Sequence, residues 1–228
     1  MNIGIFGATG VIGSAAVAEA VGRGHRVTAF SRDAARFPAD RGGADWRVAD
    51  WLDTESIAEA IAGQDVVISA VNAGHGVADT IANADRFVSG ARAMIGALER
   101  HPSVRLISVG GAGSLEVAPG RQILDGGAEF DRNLVEELEV PKEYGAVVRA
   151  LRDALNLYRQ SNRNWTSVSP SALRIRPGER TGRFRIGTDQ LLVRADGTSD
   201  ISAADLAVAL LDEAEQPRFI QRRFTVGY

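Results

Sequence analysis

Short apolar runs alternate along the chain with longer stretches in which apolar residues recur at helical spacing. The short runs have the length of strands and span residues 2–6, 25–30, 46–49, 65–71, 105–109, 165–168 and 222–226. The longer stretches predict helices at residues 14–23, 54–62, 79–100 and 142–161, and from 202 to just before Pro217. Strands that alternate with helices in this way predict an α/β fold with a doubly wound, mostly parallel sheet and right-handed crossovers. Such sheets bind their ligands at the carboxyl ends of the strands.

A glycine-rich turn joins the first predicted strand to the first predicted helix. Its sequence is Gly7-Ala8-Thr9-Gly10-Val11-Ile12-Gly13. Gly7 permits a tight turn, Gly10 lets the backbone approach a pyrophosphate, and Gly13 lets the helix pack closely on the strand. The N–H groups and the dipole at the start of the helix then face the phosphates. In isolation the motif would also suit an ordinary turn, but its position between a strand and a helix predicts a dinucleotide site, with Thr9, Val11 and Ile12 beside the three glycines.

The end of the second strand indicates which dinucleotide is bound. Ser31-Arg32-Asp33 stands where NAD-binding proteins usually carry an acidic residue for the ribose hydroxyls. Here a serine comes first and a cation follows. A guanidinium pairs well with a 2'-phosphate, and one such contact, worth about 1.5–3 kcal/mol, gives a preference of about ten- to a hundredfold. We therefore predict NADP(H) rather than NAD(H), bound through Ser31 and Arg32. The alternative is a solvated Arg32, with Asp33 on the ribose of NAD(H).

Residues at the ends of three other strands complete the predicted cofactor site. Asp50 follows the third strand, where its carboxylate can accept a hydrogen bond from the adenine amino group while Trp51 covers the ring. A purely structural Trp51 is an equal alternative. Ala70 and Val71 end the fourth strand and Pro170 closes the sixth, so we expect these three residues on the nicotinamide side.

Composition limits the other possibilities. The chain has 228 residues and 45% apolar content, which suits a single domain over residues 1–228, and no linker, repeat or low-complexity tract divides it. A net charge of −3 argues against nucleic acid and anionic membranes as partners. The chain lacks cysteine and its three histidines are scattered, so we expect no disulfide and no metal site. The first strand leaves no room for a signal peptide, which predicts a cytoplasmic protein; the oligomeric state stays open.

Several segments together resemble a known family. They are the glycine turn, residues 110–120 (GGAGSLEVAPG), residues 177–182 (PGERTG) and the C-terminal residues 223–228 (RFTVGY). The chain resembles the NAD(P)H-flavin reductase family of the atypical short-chain dehydrogenase superfamily, which is similar to biliverdin reductase B. The resemblance implies an NAD(P)-binding Rossmann fold, with C-terminal segments holding the substrate over the nicotinamide. Residues 171–200 are then a loop or hairpin insertion on the substrate side.

The catalytic residues of the wider superfamily are only partly present. Its dehydrogenases use Tyr-x-x-x-Lys, in which the lysine lowers the pKa of the tyrosine. Here Tyr144 is followed four positions later by Val148, Arg149 lies off the helical face of the tyrosine, and Ser108 is a weak counterpart of the superfamily serine. Tyr144 and Ser108 are therefore weak catalytic candidates. His75, in the small-residue loop after the fourth strand, is a further candidate acid, although an exposed loop histidine usually has no such role.

Flavin reduction is compatible with these departures. Hydride passes from the nicotinamide to the flavin ring, the remaining proton can come from water, and the protein only has to orient the two. We therefore predict an NADPH-dependent reductase whose partner is a small-molecule acceptor, with flavin as substrate rather than prosthetic group. The alternative is a non-catalytic NAD(P) sensor of the nitrogen-metabolite-repressor type. A sugar-nucleotide epimerase fits poorly, because its proton chemistry needs the missing lysine.

Overall fold

The computed structural model describes residues 1–228 and contains one large sheet and one small one. Eight strands form the large sheet in the order β3-β2-β1-β4-β5-β8-β10-β9, and only β9 runs antiparallel to its neighbour. The strands are β1 (Asn2–Phe6), β2 (Arg26–Ser31), β3 (Asp45–Val48), β4 (Val66–Ser69), β5 (Arg105–Val109), β6 (Glu116–Ala118), β7 (Arg121–Gln122), β8 (Trp165–Pro170), β9 (Arg185–Gly187) and β10 (Arg222–Gly227). The predicted doubly wound parallel sheet is confirmed, and β1 lies where the strand order reverses.

Helices cover both faces of the large sheet. They are α1 (Val11–Gly22), α2 (Thr54–Ile61), α3 (Val77–Ala82), α4 (Arg86–Arg100), α5 (Ala128–Glu136), α6 (Gly145–Gln160) and α7 (Ala203–Glu215). One apolar core lies between the sheet and α2, α4 and α6, and the other lies between the sheet and α1 and α7. Both faces of the central strands are therefore buried, which explains their nearly continuous apolar sequences. None of the helices has both the length and the apolar character needed to cross a membrane.

The prediction of one continuous helix over residues 79–100 is wrong. The structure divides it into α3 and α4, with a turn between them. The side-chain amide of Asn83 donates to the backbone oxygen and to the carboxylate of Asp79, at 2.8 Å in both cases. A side chain that bonds the local backbone competes with the helical ladder, so the break follows from Asn83.

The structure also differs from prediction in two loop regions. The small sheet of β6 and β7 and the helix α5 fall in residues 116–136, for which the apolar pattern predicts no element. Within residues 171–200 the one strand of the large sheet is β9, and it pairs with β10 instead of forming a local hairpin. Long-range pairing of this kind leaves no local signature, because β9 and its partner are far apart in sequence.

Candidate functional site

A crevice opens at the carboxyl edge of the large sheet, where the chain leaves β1, β2 and β4. Its volume is about 490 Å³, within the range of small-molecule and cofactor sites. Eight of the predicted cofactor residues line it, namely Gly7, Thr9, Gly10, Ser31, Arg32, Trp51, Ala70 and Val71. Val11, Ile12 and Gly13 form the first turn of α1 behind it, and Asp50 and Pro170 are not part of its wall. The crevice therefore collects residues from four separate loops, those after β1, β2, β3 and β4.

The glycine turn is shaped by three different backbone requirements. Gly7 has a φ of +74°, and a Cβ there would lie 2.3 Å from the carbonyl oxygen of Ala70. A Cβ on Gly13 would lie 2.1 Å from the carbonyl oxygen of Gly7, so the first turn of α1 packs directly on the glycine turn. A Cβ on Gly10 meets only the Gly7 oxygen, at 3.3 Å, and would fill the crevice instead of colliding with the fold.

The start of α1 is suited to an anion. Gly10 occupies its N-cap position and no side chain accepts a hydrogen bond from the first turn. The first N–H groups of a helix have no partner within the helix, and here they follow directly after Thr9 and Gly10 of the crevice wall. Free N–H donors together with the positive end of the helix dipole favour a phosphate group. These residues fit the pyrophosphate of a dinucleotide.

The loop after β2 presents two cations to the crevice. Arg32 is half-buried, Arg36 is exposed, and neither forms a salt bridge, although both line the cavity. Asp33 also lines the crevice, and one of its carboxylate oxygens accepts from the backbone N–H of Ala35 at 2.8 Å, which caps the short 3-10 turn Ala34–Arg36. This turn brings Arg36 back to the crevice. Sequence reasoning missed Arg36, whose signal is its spacing of four residues from Arg32 within one loop.

Asp50 and Trp51 both have structural roles beside the crevice. One carboxylate oxygen of Asp50 accepts from the N–H of Leu52 at 3.0 Å, which closes a turn. The Trp51 side chain is buried and packs so closely on α4 that a Cβ at Gly90 would lie 2.0 Å from its ring. Only part of the indole therefore faces the cavity. Trp51 therefore has a structural role in the core and also forms part of the crevice wall.

Hydrogen bonds hold the loop between β4 and α3. The Asn72 side-chain amide donates to Gly74 O and to the Thr80 hydroxyl, each at 3.1 Å. The His75 N–H donates to the Asp79 carboxylate at 2.6 Å, and the His75 ring lies 3.0 Å from the guanidinium of Arg36 across the mouth of the crevice. The His75 ring therefore lies beside a cation, and the nearby Asp79 carboxylate is bound to the His75 backbone. The ring has no carboxylate partner of the kind that supports a catalytic histidine.

Tyr144 and Ser108 are not brought together. Tyr144 ends a 3-10 turn before α6 and is half-buried; burial raises its pKa, and the positive charge of Arg174 opposes that rise. Ser108, in β5, faces Tyr158 instead. Burial raises the pKa of Tyr158 to about 12, against the effect of its hydrogen bond with Ser108. Sequence reasoning missed Tyr158 as the partner of Ser108, because it looks like one more apolar position of α6.

Val148, which stands at the position of the superfamily lysine, also has apolar surroundings in the structure. Val148 packs into the loop after β5, where a Cβ at Gly113 would lie 2.0 Å from a Val148 methyl carbon. Arg149 is exposed and lies beside Gly145. The structure therefore offers Tyr144 no helical cation, and the one charge that acts on its pKa comes from Arg174, beyond β8.

The segments that carry the family resemblance have partners within the protein. The fully buried carboxylate of Asp205 in α7 accepts from the backbone N–H groups of Thr181 and Gly182 and from the Tyr228 hydroxyl, at 2.7–2.9 Å. Burial acts to raise the pKa of Asp205, but the hydrogen bonds from Thr181, Tyr228 and Gly182 outweigh it and lower the pKa. Arg180 pairs with Glu19 of α1 at 2.7 Å. Residues 177–182 are thus tied to α1 and α7.

Comparison with known proteins agrees with this site. Residues 7–217 match the model of the NAD(P)H-binding family. A solved structure from Burkholderia pseudomallei, provisionally named an exported protein, shares 44% identity over 100% of both chains with a TM-score of 0.80. One from Bacteroides thetaiotaomicron, provisionally named an epimerase, shares 34% identity over 100% of this chain and 96% of that one, with a TM-score of 0.81.

A third solved structure carries the name that the sequence resemblance suggests. It comes from Streptococcus pneumoniae, is provisionally named an NADH-flavin reductase, and shares 28% identity over 100% of this chain and 99% of that one, with a TM-score of 0.78. The glycine turn, the crevice and these similarities agree. The chain belongs to the NAD(P)H-binding family of oxidoreductases that includes the proteins named as NAD(P)H-flavin reductases.

Proposed function

We propose that the protein is an NADPH-dependent reductase that passes hydride to a free flavin or a similar flat, conjugated acceptor. The observation that carries this proposal is the apolar packing of Val148 at the position of the superfamily lysine. Without that cation Tyr144 lacks the lysine that lowers the pKa of the superfamily tyrosine, so it is poorly suited to exchange a proton with a carbonyl or alcohol substrate. A flavin avoids this requirement, because the bound cofactor supplies hydride from nicotinamide C4 to flavin N5 and water can supply the proton.

The residues of the crevice have distinct roles in this proposal. Gly10 and the N–H groups at the start of α1 bind the pyrophosphate. Ser31 and Arg32 bind the 2'-phosphate, and the guanidinium of Arg36, which forms no salt bridge and lies beside the His75 ring, supports the same preference. Asp33 lines the crevice too, but the cap of its own loop takes one of its two carboxylate oxygens, so the ribose hydroxyls of NADH would have only the other oxygen as acceptor. Together these contacts favour NADPH.

The nicotinamide side of the crevice is assigned to Ala70 and Val71, and Pro170, which was expected there too, lies outside the crevice wall. Ala70 and Val71 line the cavity directly after β4. Trp51 takes the adenine side, with Asp50 beside it outside the crevice wall, and residues 171–200 cover the acceptor. The chain's own contribution to the reaction is to orient two flat rings, which suits small and apolar side chains better than acids or bases.

A non-catalytic NAD(P) sensor is the second candidate, because the missing tyrosine–lysine pair is equally expected in a protein that binds the cofactor without using it. The partner in the reductase proposal is a small-molecule acceptor, and nucleic acid or membrane partners have no part in it. We place the protein in the cytoplasm, because a reaction that consumes NADPH needs a compartment where that cofactor is regenerated.

The test is a cofactor titration followed by a screen of acceptors monitored by the absorbance of NADPH. The reductase proposal expects NADPH to bind more tightly than NADH, and to be consumed in the presence of riboflavin, FMN or FAD. Binding of NADPH with no consumption in the presence of any acceptor would favour the sensor. Consumption only with aldehydes or ketones would replace the flavin with a carbonyl substrate.

A further inference from the structure

Helix α5 packs on a small apolar cluster of its own. The cluster has three buried members, Phe130, Leu134 and Val140, whereas the two cores of the large sheet have 24 and 22. Phe130 and Leu134 lie four residues apart and therefore on one face of the helix, and the other residues of α5 are exposed. A helix with so little buried apolar surface has a low free energy of local opening.

Few polar contacts join α5 and the turn after it, residues 128–140, to the rest of the chain. The backbone hydrogen bonds of this α5 segment stay within residues 127–140. Two ion pairs lead out of it, Arg121 with Glu129 at 3.4 Å and Arg176 with Glu139 at 3.3 Å, and all four side chains are more than half exposed. Exposed ion pairs contribute little to stability, so the apolar cluster is what holds the α5 segment in place.

Both ends of the α5 segment have backbone geometry suited to a hinge. Gly127 precedes α5 with a φ of +55°, and nothing lies within 4 Å of the position of a Cβ there. Glu139 also has a φ of +55°, in the left-handed region that is unfavourable for residues other than glycine. Rotation at these two residues would move α5 without breaking its internal hydrogen bonds, and at Glu139 it would also release strain.

The side chains beneath α5 belong to the candidate site. Val77, Tyr144 and Val148 are partly buried and pack against the α5 cluster. Val77 directly follows Gly76 of the crevice wall, and Tyr144 packs on the same large core as the crevice residue Val71. Movement of α5 away from the sheet therefore uncovers an apolar face beside the nicotinamide end of the crevice.

We propose that the α5 segment is a hinged cover, and that the apolar face of Val77, Tyr144 and Val148 beneath it binds the flat ring of the acceptor. An aromatic ring flanked by two aliphatic side chains, none of them charged, suits stacking with a conjugated ring. The pair of Glu139 with Arg176 then joins the closed cover to residues 171–200, on the other side of the acceptor. The nature of the acceptor rests on the proposed function, whereas the mobility of the cover does not.

The first test is native-state hydrogen exchange of the cofactor-free protein. We expect amides of α5 to exchange at least about a hundredfold faster than those of α2, a helix of similar length that packs in the large core. The rate in α5 should hardly change in low urea, because opening of a short segment exposes little surface. Equal protection in the two helices, or the same dependence on urea, would overturn the proposal.

A matched pair of variants tests whether the apolar cluster holds the cover. Leu134→Ala removes a fully buried side chain and should raise the exchange rate of α5 about tenfold or more. Val135→Ala changes the next residue, which is 54% exposed, and should have a much smaller effect. No increase in Leu134→Ala, or an equal increase in both variants, would contradict this attachment.

The apolar face is tested by steady-state kinetics with FMN as the acceptor. Val77→Ala removes two methyl groups from the face, so the KM for FMN should rise about three- to tenfold while the affinity for NADPH stays the same. Val117→Ala is the control, because Val117 is an exposed valine outside the α5 segment and the crevice. An unchanged KM in Val77→Ala would remove this face as the acceptor site.

The last test follows the cover when the acceptor binds. The chain has no cysteine, so spin labels at Val135→Cys in α5 and Glu99→Cys in α4 report one distance by pulsed electron resonance. We expect that distance to shift when FMN is added in the presence of NADP+, while a control pair at Glu99→Cys and Asn162→Cys, both exposed and outside the cover, stays constant.

The outcomes separate the cover from the proposed reaction. An unchanged distance in a protein that reduces FMN with NADPH would overturn the cover and leave the proposed function intact. A protein that neither binds nor reduces FMN would remove the flavin from both proposals, and the exchange experiment would then decide the mobility of the α5 segment by itself.

Discussion

The preference for NADPH is expected to depend on Arg32 and Arg36, the two unpaired cations of the loop after β2. The change that tests it is Arg32→Ala, alone and combined with Arg36→Ala. Because both side chains line the crevice and neither takes part in an ion pair of the fold, removing them deletes a ligand contact without leaving a buried partner uncompensated. We therefore expect folded variants with altered cofactor choice.

The two arginines should contribute unequally to the affinity for NADPH. Arg32 is half-buried, and a hydrogen bond to a charged group in such a setting contributes about 1.5–3 kcal/mol, which is about ten- to a hundredfold in affinity. Arg36 is exposed, where solvent and salt screen the interaction, so its loss should cost only about two- to fivefold. Arg32→Ala should thus remove most of the discrimination, and the double variant should remove the rest.

The assay is calorimetric titration with NADPH and NADH at two salt concentrations. NADH affinity is the internal control and should stay constant in all variants, because NADH has no 2'-phosphate. Arg47→Ala is the matched surface control, since Arg47 is an exposed arginine of β3 paired with Asp45 and away from the crevice. Equal affinities of the unmutated protein for NADPH and NADH, or a loss of NADH binding in Arg32→Ala, would refute the reasoning.

Three further changes test other parts of the account. Gly10→Val should abolish dinucleotide binding in calorimetry while the circular dichroism spectrum stays that of the folded protein, because the side chain enters the crevice; unchanged affinity would remove the pyrophosphate assignment. Tyr144→Phe should lower kcat for flavin reduction by less than about tenfold, short of the roughly 10²- to 10⁴-fold of a lost general acid, and a thousandfold loss with intact NADPH binding would identify a proton donor. Hydrogen bonding to Arg180 is the main effect that holds the pKa of Glu19 at about 2. That stabilisation is present above the unfolded pKa of about 4.3 and is lost as pH falls towards 2, so urea unfolding of Glu19→Gln should show a weaker decline over that interval, and parallel curves would count against the ion pair.

The strands and the glycine turn could be predicted because their signals are local. Each central strand is buried on both faces and therefore reads as an apolar run, and Gly7, Gly10 and Gly13 meet steric conditions set within a few residues of the turn. The bounds of β5 are reproduced for the same reason. Features that depend only on neighbouring residues can be predicted from a single sequence.

Two of the missed features come from local side-chain hydrogen bonds that apolar periodicity does not report, and the third depends on packing between distant parts of the chain. The apolar periodicity continues across the break at Asn83. A polar residue on the exposed side of a helix cannot be told from its sequence apart from one that bonds the local backbone and ends the helix. Arg36 reaches the crevice only through the turn that Asp33 caps, and the link between Tyr158 and Ser108 depends on the packing of α6 on the sheet. Sequence pattern alone contains no information on such distances.

Anaerobic reduction of free flavin by NADPH tests the central claim most directly. NADPH carrying deuterium at the transferred C4 position is mixed with the protein and an excess of FMN, and both absorbances are followed. The account predicts one FMN reduced for each NADPH oxidised, with a primary isotope effect when hydride transfer limits the rate. Tight binding of NADPH without any change in either absorbance would contradict it.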